Sequence, residues 1–332
     1  MDLLEKLKAY VKLDKFKNAL NINGEINLSM LAMGEYNINY LFTHPNTNEK
    51  LILRINTKSQ MNLENQIEYE YKALKGLYLS GRVPKVYYVD STCEKIEYGL
   101  LVMEFLNGEM LDYEKDLNIG LKCLSDIHST DTKNLNHLIC PKNPLKAMFE
   151  ECSSMANVYL NSSLGDEKVK FKLKRLLEKS YNLVKDEKDY TGKRYPINTE
   201  LNSGNFLVNR NSKSYVIDWE KPILGEVAQD IAHFLAPITT FWKTDIILSK
   251  AVVNKCIDDY IKFVDNRFDT SDLKERFEKY MPLTCLRGVT WCAMAFIEYQ
   301  DPNRLIKNEF TYNKIKSYLS NEFLDKIEKE YF

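Results

Sequence analysis

The feature that most constrains this chain is a change of pattern near residue 107. Before it, Glu25–Met33, Tyr36–His44, Lys50–Asn56, Lys85–Val89 and Tyr98–Phe105 are short runs rich in Ile, Leu, Val and Tyr. Turn residues bound each run, which predicts strands. His44–Pro45–Asn46–Thr47–Asn48 reads as a hairpin connection. After residue 107 the apolar spacing becomes helical, predicting helices over 114–130, 143–161, 166–186, 243–265, 271–299 and 310–331. Each half carries one kind of exception. Helical spacing also covers the N-terminus to about Leu20, and Leu63–Leu79, where Ile67, Tyr71, Leu74 and Leu77 share a face. Conversely, Asn205–Val208 and Ser214–Trp219 are two strand-like runs joined by a polar turn, inside helical surroundings. The expected fold class is α+β and bilobal. A small N-terminal antiparallel sheet plus helix occupies residues 1–106, and a larger, mainly helical part occupies 107–332. Ligand clefts favour such joins.

Composition narrows the function. A chain of 332 residues suits about two lobes. Lys+Arg 46 against Asp+Glu 47 gives a net charge of -1, which argues against nucleic-acid or anionic-membrane binding through overall charge. Four His leave few candidates for imidazole chemistry. The seven Cys are odd in number and none is spaced as CxxC, so reduced thiols in a cytoplasmic protein fit better than zinc or disulfides. No run of 18 apolar residues is present, so no membrane span is expected.

Several polar residues interrupt the apolar pattern where chemistry would need them. Gly34 and Asn37 lie between two strands, where a glycine lets backbone amides approach a phosphate. Arg54 is a single cation inside the run Leu51–Ile55; such a residue is usually paired with a carboxylate when buried, and a surface-facing Arg is the other reading. The following helix offers Glu64, Glu68 and Glu70. Glu200 and Asn205 sit five apart on a polar loop, and Asp218 ends a short apolar strand. Hard oxygen donors of this kind suit a hydrated Mg²⁺ that also holds phosphate. Taken singly, each also reads as an ordinary turn residue.

In this ordered set the chain resembles the aminoglycoside phosphotransferase and choline-kinase-like families, which share a protein-kinase-like fold. The resemblance runs from about Leu31 to Phe234. It implies ATP and Mg²⁺ as cofactors and phosphoryl transfer to a hydroxyl of a small molecule. Met33–Asn37 resembles the nucleotide-positioning loop, with Gly34 and Asn37. Arg54 stands for the phosphate-binding strand lysine. Glu70 resembles its helix partner, with Glu68 as the fallback. Met103–Glu104–Phe105 is similar to the linker that hydrogen-bonds adenine through its backbone. Asn198–Asn205 aligns with His-Gly-Asp-x-x-x-x-Asn. This implies Glu200 as catalytic carboxylate, with Asn205 and Asp218 as metal ligands. Gly225 and Asp230 match the helix start that braces the catalytic loop.

The departures are specific. Arg54 replaces Lys, Asn198–Thr199 replaces His-Gly, and Glu200 replaces Asp. One extra methylene shifts a carboxylate by about 1–1.5 Å, and a displacement of that size can cost about 100-fold in rate. A catalytically weak or inactive nucleotide-binding pseudokinase is therefore the alternative to an active kinase. For the acceptor, Asp230, Glu298 and Trp291 suggest a cationic molecule through ion pairing and cation–π contact. Aminoglycoside-, amino alcohol- and sugar-like acceptors all stay open.

Overall fold

A computed structural model describes residues 3–34, 36–59, 61–302 and 308–332. Glu35, within the glycine loop, lies outside the described residues. The chain begins with α1 (Leu3–Tyr10) and α2 (Asp14–Leu20), then β1 (Ser29–Met33), β2 (Asn37–Thr43), β3 (Lys50–Asn56), α3 (Gln66–Leu77), β4 (Val86–Asp90) and β5 (Gly99–Glu104). The five strands form one antiparallel sheet in the order β1-β2-β3-β5-β4.

Alternation along the strands sorts the sheet into two faces. Leu51, Leu53 and Ile55 of β3 and Leu100 and Val102 of β5 pack with Leu7, Tyr10, Phe16 and Leu20 from α1 and α2. The opposite face carries Ile52, Arg54, Leu101 and Met103. The N-terminal segment is two helices rather than the single one its spacing predicts. Leu13 is extended, with φ -63 and ψ 137. Nine residues of unbroken helix would set Phe16 about half a turn from Leu7. The break lets both reach the sheet.

The second part holds β6 (Glu109–Met110), α4 (Leu117–His128), α5 (Pro144–Leu160), α6 (Glu167–Val184), β7 (Tyr195–Ile197), β8 (Phe206–Val208), β9 (Tyr215–Val216) and β10 (Ile223–Gly225). It continues with α7 (Val227–Leu235), α8 (Pro237–Thr244), α9 (Lys250–Val264), α10 (Leu273–Glu298), α11 (Glu309–Tyr318) and α12 (Asn321–Tyr331). Two helical expectations are corrected here. The segment 243–265 is split by Asp245, which is left-handed at φ 58, and α9 starts afresh from a Ser249 cap. The segment 310–331 is likewise two helices, because the Ser320 side chain accepts the Phe323 N–H and begins α12. The central helix, α10, packs on α5 and α7. All seven cysteines are free. Among the described residues no helix is long and apolar enough to cross a membrane.

Candidate active site

Strand alternation aims Arg54 into the cleft, where burial of its charge demands compensation. Its Nη1 lies 2.5 Å from Glu70 Oε1 on α3. Both Nη atoms lie 3.2 Å from Asp218 Oδ1, and Nε donates to Asn39 Oδ1 at 3.1 Å. Glu70 is 1% exposed, and its Oε2 has no hydrogen-bond partner. Burial pushes its carboxyl upward, and the attraction of Arg54 opposes this only in part. Glu68, two residues earlier, is turned outward and pairs with Lys72 at 2.7 Å. Helix α3 also grips the segment after Asp218. Gln66 Nε2 donates to the Glu220 carbonyl at 2.6 Å, and the Tyr69 hydroxyl donates to the Pro222 carbonyl at 2.6 Å.

The polar loop 198–205 ends in a 3-10 turn at Ser203–Asn205, and the rest of it is irregular backbone held by side chains. Asp230 accepts the N–H groups of Asn198 and Thr199, each at 2.8 Å, and lies 3.2 Å from His128 Nε2. Leu201 N–H donates to His233 Nδ1 at 3.0 Å. Burial, then the nearby Arg287 and Lys221, hold that imidazole down at about 3, so it stays neutral and can accept. Asn205 Nδ2 donates to the Glu200 carbonyl at 2.7 Å, and Asn198 Nδ2 donates to the Asp218 carbonyl at 3.0 Å. These bonds tie Glu200, Asn205 and Asp218 together. Asp218 and Thr199 both have left-handed backbone, at φ 64 and φ 70. For a β-branched residue such as Thr199 this is strained. Its N–H on Asp230, its hydroxyl on the Lys221 carbonyl at 3.0 Å and its carbonyl under Arg287 at 3.2 Å hold it there.

The Glu200 carboxylate sits between two cations. Lys221 Nζ is 3.5 Å away and Arg287 Nη2 3.7 Å away. Glu151 of α5 ties both cations, at 3.4 Å to Lys221 and 3.1 Å to Arg287 Nε. Burial would push the Glu151 carboxyl up, but Arg287 and Lys221 outweigh it and hold it at about 2. Asn37, at the start of β2, donates to Glu220 Oε2 at 2.5 Å. Glu220 is pushed up to about 8 by burial and by the charges of Asp218, Glu200 and Glu70. Negative charge is therefore in excess around Asp218. Among the described residues no cluster of three or more His, Cys, Asp or Glu forms a ready-made metal cage. The oxygens of Asp218 and Asn205 are a donor pair of the kind that fits Mg²⁺, which takes one or two protein oxygens and completes its shell with water and phosphate.

Two cavities meet at this point. One, of about 210 Å³, is lined by Leu31, Ile52, Met103, Phe105, Leu207 and Trp219 among others. The second, of about 340 Å³, extends past Gly34, Asn37, Glu200 and Glu220 to α8 and α10. Asn39, Arg54 and Asp218 line both. The linker differs from its expected use in one respect. Glu104 N–H donates to the Lys85 carbonyl at 2.8 Å and Phe105 N–H to the Lys50 carbonyl at 3.1 Å, so both are spent within the sheet.

Residues 28–250 match the model of the phosphotransferase enzyme family. The chain belongs to this family. Comparison with curated proteins gave no match. Among solved structures, a provisionally named aminoglycoside phosphotransferase from Ralstonia eutropha superposes with a TM-score of 0.70 at 14% identity, covering 98% of each chain. An amicoumacin kinase in complex with AMP-PNP, Ca²⁺ and Ami gives 0.65 at 14% identity, covering 98% of this chain and 94% of the other. A choline kinase from Cryptosporidium parvum gives 0.63 at 14%, covering 98% and 96%. These likenesses establish the protein-kinase-like fold for this phosphotransferase family member.

The acceptor-side expectations need correction. Asp230 is fully buried and spends its carboxylate on the loop, so it braces rather than meets a ligand. Glu298 is exposed at the end of α10, about 10 Å along the helix from Trp291, and does not line the cavity. Trp291 does line it, edge-to-face with Trp242 at 5.6 Å. Sequence reasoning missed Glu151, Lys221 and Arg287. A signal existed for Arg287, a single cation in the run Cys285–Leu286–Arg287–Gly288–Val289 on an otherwise buried helix. Glu151 and Lys221 carry no such signal.

Proposed function

We propose that this protein transfers the γ-phosphate of ATP to a hydroxyl of a small molecule. The observation that carries the reading is the junction of the two cavities at Arg54 and Asp218. Adenine would occupy the apolar slot against Met103–Phe105, and the acceptor would enter from the α8–α10 side. Residues 1–106 then form the nucleotide lobe and 107–332 the acceptor lobe. Arg54, braced by Glu70 and Asn39, neutralises phosphate charge. Mg²⁺, held by Asp218 and Asn205, would supply positive charge to the phosphate oxygens. Glu200, steadied by Lys221 and Arg287, orients the acceptor hydroxyl and takes its proton. The hydroxyl oxygen bonds to the γ-phosphorus, and the bond from that phosphorus to its bridging oxygen breaks, the electron pair leaving with ADP. Such transfer relies mainly on positioning and charge, so an anchored Glu can serve where Asp is usual.

A thermal-shift titration and an ADP-release assay test this. ATP should stabilise the protein only with Mg²⁺, and Glu200→Ala should cut transfer by about 100-fold. Failure of ATP to stabilise the protein with Mg²⁺ would refute the reading. One observation favours the alternative of a nucleotide-binding protein without transfer: Asp218 Oδ1 is engaged by Arg54, and Glu200 by two cations. Binding of ATP with no ADP release from any acceptor would select it.

A further inference from the structure

We propose that the acceptor is a neutral, polyhydroxylated ring of the sugar class, bound between Trp242, Trp291, Thr239 and Thr284. The proposal rests on reading the cleft as a phosphotransfer site and names what that site accepts.

Three observations carry it. The first is a pair of hydroxyls without partners. Thr239 and Thr284 are 3% and 0% exposed and line the larger cavity, yet neither Oγ1 has a hydrogen-bond partner. Buried polar groups are nearly always satisfied, so such a pair marks a place for polar groups from a ligand. Hydroxyls both donate and accept, which matches the hydroxyls of a polyol.

The second is charge. Beyond Glu200, the cavity wall formed by α5, α8, α10 and α11 carries one charged residue among the described lining residues, the cation Arg287. Its charge is matched by Glu151, leaving little for an anionic acceptor. An ammonium held against this wall would face a guanidinium, because the cavity's carboxylates, Glu200, Asp218 and Glu220, come from the loop side and not from these helices.

The third is shape. The indoles of Trp242 and Trp291 stand 82° apart and line the cavity. Their flat apolar faces suit the C–H face of a ring. The cavity, of about 340 Å³, runs from the space beside Gly34 and Arg54 to these indoles.

Intrinsic fluorescence provides the test. The chain has three Trp, and Trp219 is fully buried beside the other cavity, so a quench on acceptor addition reports on Trp242 and Trp291. Protein loaded with Mg²⁺ and AMP-PNP would be titrated with glucose, ribose and myo-inositol, with choline and ethanolamine, and with a polycationic aminoglycoside. ADP release would be measured with ATP in parallel. A saturable quench and ADP release from a neutral ring is the expected result. Thr239→Val and Thr284→Val should each weaken it at least tenfold, Thr→Ser should restore it, and AMP-PNP affinity should stay within twofold. The proposal falls if the cations bind and the neutral rings do not, or if nothing in the panel binds to nucleotide-loaded protein. Failure of AMP-PNP itself to bind would instead overturn the phosphotransfer reading.

Discussion

The five-stranded sheet and the loop at 198–205 are both rigid parts of one site, yet they are held in opposite ways. In the sheet, Leu51, Leu53, Ile55, Leu100 and Val102 bury one continuous apolar face, and the ladder satisfies the backbone. Many small contributions share the load. In the loop, most of the work falls to single polar side chains. Asp230 takes two N–H groups, His233 takes a third and Arg287 holds the Thr199 carbonyl. The sheet can present Arg54 from a robust platform. The loop presents Glu200 and Asn205 at geometries regular structure cannot supply, and it depends on a few residues to do so.

The largest expected effect breaks the loop. Asp230→Ala strands two buried N–H donors and the His128 contact, so chemical denaturation should show a loss of about 4 kcal/mol, with phosphotransfer abolished. A loss under about 1 kcal/mol would mean the loop is held otherwise. Next comes the sheet. Leu53→Ala should cost about 3 kcal/mol through cavity formation, yet leave KM for ATP unchanged once the protein is folded. A change in that KM would show that the platform is less independent of the site than its packing suggests.

A smaller effect concerns the polar knot at the end of β4. Burial pushes the Asp90 carboxyl up, but hydrogen bonds from Tyr10 and Thr92 outweigh it and hold it at about 2. Its folded value lies below the ordinary one, so its contribution is complete above about pH 4 and is lost as pH falls toward 2. Asp90→Asn should flatten the stability profile in that window, a difference on the order of 1 kcal/mol. An unchanged slope would remove Asp90 from the sheet's account. The smallest effect sharpens the comparison at one backbone angle. Thr199→Gly relieves the strain at φ 70 but loses the hydroxyl bond to Lys221, so stability should move by less than about 1 kcal/mol. A larger loss would show that the side chain, not the backbone, sets the loop.

Legibility in the sequence followed the same division. Strand β3 is visible at its true bounds, Lys50–Asn56, because a short apolar run between turn residues is a local signal. The period-two geometry of a strand then places Arg54 on the face opposite Leu53. The loop was legible as a motif, through Glu200, Asn205 and Asp218, but the residues that hold it were mostly not. Glu151, Lys221 and Arg287 come from α5, a turn and α10, and nothing local says that they meet. Asp230 shows how a buried carboxylate misleads, since acidity in a helix start reads equally as a brace or as a binding residue.

By itself, then, the sequence determined the α+β division, the strands, most of the helices and the ordered polar residues of the cleft. These follow from local periodicity and from residue chemistry at fixed spacing. Only the tertiary structure decided that Glu70 rather than Glu68 meets Arg54 and that Asp230 faces inward. It alone brought the unpartnered hydroxyls of Thr239 and Thr284 to line one cavity with Trp242 and Trp291. Those outcomes depend on how helices far apart in the chain pack, and packing is settled by the whole core at once rather than by any segment of it.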